Sequence, residues 1–352
     1  MTVPSVTIYS LPQELFDRIL ALVRSPIPPL SEEWHIQNVD LLAASLVCRR
    51  FRSSAQYQLA HDARIILRLD ETSLLRPPTL SHAVRHLWLE IKEPGDDAAC
   101  SEDDEAGIAT EWMASFVSAN PGLQTLKFAG YLYSSAFSLP GLAPDLTHLD
   151  LGFPENIMDL NDEALSIPFQ LKHLGLWICD DAPCSSLLTA IFSTSQHSLR
   201  SLDLCLSVGP TKRNAGGALF LTTELPLVAS KLETLSIRTT ARCQSKSLVQ
   251  LGGCIALKKL ALSLVGNDNP SSLRPYLDQL PSPATLTTVS ITEIGQLSSL
   301  TAILEHPALS RLERLELPNL DGWSIEKTVD GKVLMEVCDR REIKLYFIEN
   351  LL

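Results

Sequence analysis

The chain has 352 residues, of which 45% are hydrophobic, 20% charged and 6% aromatic, and its formal net charge is -12. That length suffices for one large core or for a small domain in front of a larger one. The acidic balance argues against a phosphate-binding surface, because nucleic-acid readers carry a basic stripe, and the sequence holds no run of about 18 apolar residues to span a bilayer; neither nucleic acid nor membrane is an expected partner.

The N-terminal stretch MTVPSVTIYSLPQEL lacks the charged-then-apolar layout of a signal peptide, so a cytosolic or nuclear location is expected. Residues 10–24, SLPQELFDRILALVR, predict a helix. Ser10 and Gln13 stand at capping-box spacing, and Pro12 suits a first helical turn. Leu11, Leu15, Ile19 and Leu22 repeat at helical spacing, with Phe16, Leu20 and Val23 on a neighbouring face. Three prolines in 25–39 forbid a continuous helix there. A second helix opens at Asp40, a good N-cap, and runs through LLAASLVCRRF to about Ala55, with a third helical piece expected near Gln56 to Asp62. Residues 8–63 thus form a small all-α head. So short a segment cannot bury all its apolar side chains internally, and some must face a partner or the following domain.

From Arg64 to Leu352 the texture changes. Seven carboxylates crowd into Glu93 to Glu105 (EPGDDAACSEDDE), and self-repulsion predicts a solvated loop over 93–105. A six-residue pattern then dominates: apolar, two polar, apolar, any, apolar. It occurs as VRHLWL (84–89), LQTLKF (123–128), LTHLDL (146–151), LKHLGL (171–176) and LRSLDL (199–204), and again as LETLSI (232–237), LKKLAL (257–262), LTTVSI (286–291) and LERLEL (312–317). Segments with helical patterning lie between copies: ATEWMASFVSA, SSLLTAIFSTS, SLVQLGGCIA, LRPYLDQL and LTAILEH. The helix KVLMEVCDRRE and a closing strand IKLYF end the series. Each unit is a strand, a turn and a helix, the unit of a leucine-rich repeat. One unit cannot bury its own apolar face, so units must stack. The fold class expected is α/β, a leucine-rich-repeat solenoid over 64–352 behind an all-α head.

Residues 11–51 resemble an F-box. The matching elements are LPQEL with Ile19 and Leu20, then DLLAASLVCRRF, ending Val47, Cys48, Arg49, Arg50, Phe51. The segment of roughly 24–40 between them is longer than in a compact F-box. The repeat region resembles the degenerate leucine-rich repeats of fungal F-box proteins. The resemblance implies a substrate receptor of an SCF-type cullin ubiquitin ligase, whose head holds a Skp-family adaptor, and through it a cullin, while the repeats hold a target protein. By match to the motif, Leu11, Pro12, Leu15, Ile19, Leu20, Leu46, Val47, Cys48 and Phe51 are the candidates for adaptor contact or head packing. The alternative is a scaffold whose head binds the adaptor without a cullin or only caps the solenoid.

Strand residues between the inward leucines point to the concave face, where a target would bind. Trp88, Lys127, His148, Asp150, His173, Trp177, Asp203 and Arg238 are the candidates there, the tryptophans and arginine because such side chains anchor binding hot spots. His148, Asp150 and His173 fall on adjacent strands but lack a third strong ligand for a metal. The eight cysteines show no C-x-x-C spacing and are expected as reduced, small apolar side chains. No phosphate loop or G-x-S-x-G elbow occurs; no catalysis and no cofactor are expected.

Overall fold

A computed structural model describes residues 12–23, 39–47, 49–68, 84–92, 102–138, 143–152, 157–158, 165–179, 186–207, 221–239, 249–264, 274–281, 285–291, 297–318 and 328–348. Two compact units divide the chain: Met1–Ala129 with Pro140–Leu146, and Gly130–Leu139 with Thr147–Leu352. Every described strand pairing is parallel, as strands joined by helical crossovers require.

The first unit opens with three helices, α1 (Gln13–Val23), α2 (Val39–Val47) and α3 (Arg49–Leu59). Leu20, Leu41 and Ala55, one from each helix, form a small core, with Ala44, Phe51 and Leu59 packed against it. Gln13 Nε2 donates to Asp17 Oδ1 at 2.9 Å and to Ser54 Oγ at 2.6 Å, tying α1 to α3. Ser10, its expected capping partner, lies outside the described residues. The helical run expected from Asp40 to Ala55 is two helices, and the third helical piece expected at 56–62 is the end of the second of these.

A strand follows where none was expected: β1 (Asp62–Arg68) pairs with β2 (His86–Lys92), and β2 with β3 (Thr125–Ala129). The register sets Ala63 beside Leu87 and Ile65 beside Leu89. Residues 60–65, AHDARI, are therefore a further copy of the hexapeptide with alanine in two of its leucine places. Between β2 and β3 runs α4 (Glu102–Ala119), burying Ala106, Ala109, Trp112, Met113, Phe116 and Val117. It begins seven residues earlier than its apolar pattern, so the four acidic residues 102–105 are helical rather than loop. Carboxylates in a first turn favour the helix because they oppose its positive N-terminal dipole. Residues 93–101 of the expected loop lie outside the described residues.

The second unit contains β4 (Leu132–Tyr133), β5 (His148–Gly152), β6 (Ile157–Met158), β7 (His173–Cys179), α5 (Ser186–Ser195), β8 (Ser201–Ser207) and α6 (Leu225–Val228). It continues with β9 (Thr234–Thr239), β10 (Lys259–Leu264), α7 (Arg274–Leu277), β11 (Thr288–Ile291), α8 (Leu297–Leu304), β12 (Arg314–Pro318), α9 (Val329–Arg340) and β13 (Lys344–Ile348). Apart from the small β4–β6 pair, its strands join in the order β5-β7-β8-β9-β10-β11-β12-β13.

In all nine predicted hexapeptides the strand begins at the third position, and the first, fourth and sixth side chains are buried. The period-2 alternation of a strand sends the fourth and sixth residues to the core and the third and fifth to the other, polar face, while the first enters the core from the turn before the strand. A backbone device recurs where each strand begins. The amides of hexapeptide positions two and three both donate to the position-two carbonyl of the preceding strand: Lys172 and His173 to Thr147, Arg200 and Ser201 to Lys172, Glu233 and Thr234 to Arg200. The same sharing runs through to Glu313 and Arg314 on Thr287, and in the first unit Arg85 and His86 share the His61 carbonyl.

The helix expected over SLVQLGGCIA is instead a set of turns through 249–256. Gly252 and Gly253 account for it, since each glycine costs a helix interior about 1 kcal/mol. Helix α9 is capped by Thr328, whose hydroxyl accepts from the Gly331 amide at 3.0 Å. Arg341, just beyond it, donates to the Leu304 and Leu309 carbonyls at the end of α8 and the following turn.

Candidate functional site

Two surfaces gather the residues singled out by the sequence. On the three-helix head, Leu15, Ile19 and Leu22 form one exposed stripe along α1. Leu42, Leu46 and Val47 are exposed on α2, with Leu46 keeping 77% of its surface in solvent. Pro12 is exposed as well, while Leu20 is core and Phe51 half-buried against it. Leu11 and Cys48 lie outside the described residues. Leu22 and Leu42 were missed as site residues, though their exposure follows from Leu20 and Leu41 taking the inward positions.

On the polar face, register decides which side chains meet. In the first unit Trp88 stands between Arg64 and Lys127 in one row. The Arg64 Cζ lies 3.9 Å from the indole centroid and the Lys127 Nζ 3.8 Å. Flanked by two cations and 6% exposed, Trp88 is a rigid joint between three strands and no open anchor. Glu90 completes it through Arg64 at 3.5 Å. Lys127 is thereby placed with Trp88.

In the second unit the rows bring the remaining candidates together. His148, His173 and Ser201 share one row; Asp150, Gly175, Asp203 and Ser236 the next; Gly152, Trp177, Cys205 and Arg238 the third. The His173 Nε2 is 3.2 Å from Asp150 Oδ1 and 3.9 Å from Asp203 Oδ2, and its Nδ1 is 3.0 Å from Ser201 Oγ. His148 stacks on His173 with ring centroids 5.7 Å apart, and its Nδ1 lies 2.9 Å from Thr147 Oγ1. Gly175 makes this possible, since a Cβ there would collide with the Asp150 carboxylate.

The electrostatics follow from these contacts. Burial alone would lower the His173 pKa, but the Asp150 hydrogen bond and the charges of Asp150 and Asp203 outweigh it and raise it. Burial and the neighbouring His173 charge lower that of His148. Burial raises the carboxyl of Asp203, opposed by His173, Arg238 and the Ser236 hydrogen bond. The two stacked imidazoles should therefore titrate on opposite sides of the ordinary 6.5, His173 above and His148 below. Histidine ring-carbon NMR shifts followed against pH, assigned with His148→Gln and His173→Gln, will show this. Gly175→Ala should draw His173 back down by displacing Asp150; two coincident titrations in the parent chain would contradict the geometry.

No protein-family model and no curated protein match this chain. Among the described residues, no set of three or more His, Cys, Asp and Glu side chains is arranged to hold a metal ion. None of the described helices is long and apolar enough to cross a membrane.

What the cluster offers chemically is hydrogen bonding and charge. Asp150 and Asp203 keep 41% and 36% of their side-chain surface in solvent, and Trp177 is 42% exposed beside them. Farther along the same face, Glu316 is closed off between Lys259 Nζ at 2.9 Å and Arg314 Nε at 2.7 Å, and the Arg314 guanidinium lies 3.9 Å above the Tyr346 ring. That buried ion cluster was absent from the sequence reading. Arg314 and Glu316 share one hexapeptide and Lys259 belongs to another, and only the register brings Lys259 to Glu316.

Proposed function

We propose that the chain is a non-catalytic substrate receptor of an SCF-type cullin ubiquitin ligase. In this reading the head is an F-box that holds a Skp-family adaptor, and the strand–turn–helix units are a leucine-rich-repeat solenoid that holds a target protein. The observation that carries it is the exposed apolar surface of the head. Six large apolar side chains on two short helices are exposed, where full burial of each would contribute at most roughly 1.5–3 kcal/mol. Exposed apolar side chains gathered at this density on so small a segment favour a docking role. Leu15 and Val47 among them belong to the LPQEL and VCRRF elements on which the F-box resemblance rests.

The test is co-purification with a Skp-family adaptor and cullin, comparing the parent chain with Leu15→Glu/Leu46→Glu. Both leucines are exposed, so the variant should unfold at the parent's midpoint. Hot-spot side chains contribute about 2 kcal/mol or more each, so adaptor affinity should fall on the order of a thousandfold. Adaptor capture without cullin would replace the ligase reading with a scaffold. No capture by the parent chain would leave the head as a cap and end the proposal.

A further inference from the structure

The charges on the second unit's polar face are unevenly satisfied. Glu316 meets both Lys259 and Arg314, and at the strand entrances Glu233 meets Lys258 at 2.6 Å and Arg200 at 3.9 Å. Asp150 and Asp203 are different: among the described residues, the cation within 4 Å of both is the imidazolium of His173. Their strands are two spacings apart, which sets their Cα atoms roughly 9–10 Å from each other. Gly175 between them raises no side chain, and the Asp150 carboxylate leans over it toward His173. Two residues farther along β7, Trp177 offers a half-exposed ring as a wall. Beyond Cys205 in that row, Arg238 closes the acidic patch with positive charge.

A flat aromatic wall beside two carboxylates suits a cation on an aliphatic stem. We propose that this cluster receives a lysine or arginine side chain of the target, its cation seated between Asp150 and Asp203 and its stem along Trp177, and that its arrival expels to solvent the proton His173 holds against the same carboxylates. Identifying the partner as a ligase target rests on the receptor reading above; the cation site itself does not involve the adaptor.

The groups facing His173 set the direction of the pH response. From β5 these are His148 and Asp150; from β8, Asp203 and Ser201; from β9, Arg238 acts through Asp203; Lys172 precedes His173 on its own strand. The two carboxylates keep His173 protonated to higher pH than an ordinary imidazole, so below that pKa the incoming cation must displace a proton. Affinity therefore falls by up to about tenfold for each pH unit of acidification, and levels off above it.

The full chain is titrated with heptalysine, and with heptaglutamate as the opposite charge, by calorimetry near pH 8 and near pH 6. Heptalysine should bind, more weakly at the lower pH, and heptaglutamate should not. Asp150→Asn/Asp203→Asn should weaken heptalysine binding at least about tenfold, the loss expected when charge-assisted contacts of about 1.5 kcal/mol or more are removed. Glu111→Gln/Glu336→Gln removes the same charge from exposed helix positions and should change little. His173→Gln should bind with a flattened pH response, and Trp177→Ala, which spares both carboxylates, should bind more weakly with the response intact. Equal loss in the two charge-neutralised pairs, or a pH response that survives His173→Gln, would overturn the proposal. Failure here with adaptor capture intact leaves the receptor reading standing, and the reverse pattern separates the two equally well.

Discussion

Leu174→Ala will destabilise the second unit by about 2–5 kcal/mol. Leu174 has no solvent-exposed surface, and in register it lies between Leu149 and Leu202, which are equally enclosed. Removing its isobutyl group forfeits the transfer energy of the lost carbons and leaves a cavity that regular strand pairing keeps from collapsing. The cost belongs to a middle strand, whose two interfaces both weaken, so it is larger than at an end of the sheet. Urea unfolding followed by circular dichroism should show a lower midpoint at an unchanged denaturant slope. Leu149→Ala should behave alike, and the double variant should depart from additivity because the two cavities adjoin. Lys172→Ala, two residues earlier and exposed, should stay within about 0.5 kcal/mol of the parent. An unmoved midpoint in both leucine variants would place these residues outside the core.

Glu316→Gln is expected to cost about 1–3 kcal/mol at neutral pH. The side chain is 6% exposed and lies against Lys259, Arg314 and the Ser290 hydroxyl. Losing its charge leaves two cations facing each other, softened because both remain about 40% exposed. Burial alone would raise the Glu316 pKa, but the hydrogen bond and charge of Lys259, with Arg314, outweigh it and lower it. A carboxylate whose folded pKa lies below its unfolded 4.5 stabilises the fold above that pH, and the contribution is lost as pH falls through the folded value. The gap between parent and Glu316→Gln should therefore narrow below pH 4.5, which chemical denaturation across the acid range will measure. A gap independent of pH would assign the loss to packing.

The strands were legible because leucine at hexapeptide positions one, four and six states both the period and the face. Each of the nine copies lands where that pattern sets it. The copy at 60–65 was not, since two alanines in place of leucines satisfy helix and strand alike. Missing it hid the surroundings of Trp88: without β1 there is no strand to bring Arg64 against the ring. The helix start at Glu102 was obscured by charge repulsion, a real effect that the dipole of a long helix outweighs. The turns at 249–256 had a visible signal in Gly252–Gly253 that the surrounding leucines masked. Within the candidate site, neighbouring hexapeptides already aligned His148, Asp150, His173 and Asp203. The part of Gly175 was invisible, because it consists of the room it leaves for a side chain from another strand.

The shared carbonyls at the strand entrances have a consequence for how such a chain can change. Within the second unit, from β7 to β12, each strand takes its alignment from an oxygen of the strand before it, through two amides that are neighbours in sequence. The step from one hexapeptide to the next, which varies from 25 to 33 residues from 146 onward, does not enter that alignment. Connectors can lengthen or shorten while the rows of polar side chains stay in step, so a recognition surface can be kept, residue against residue, as the loops behind it are rewritten.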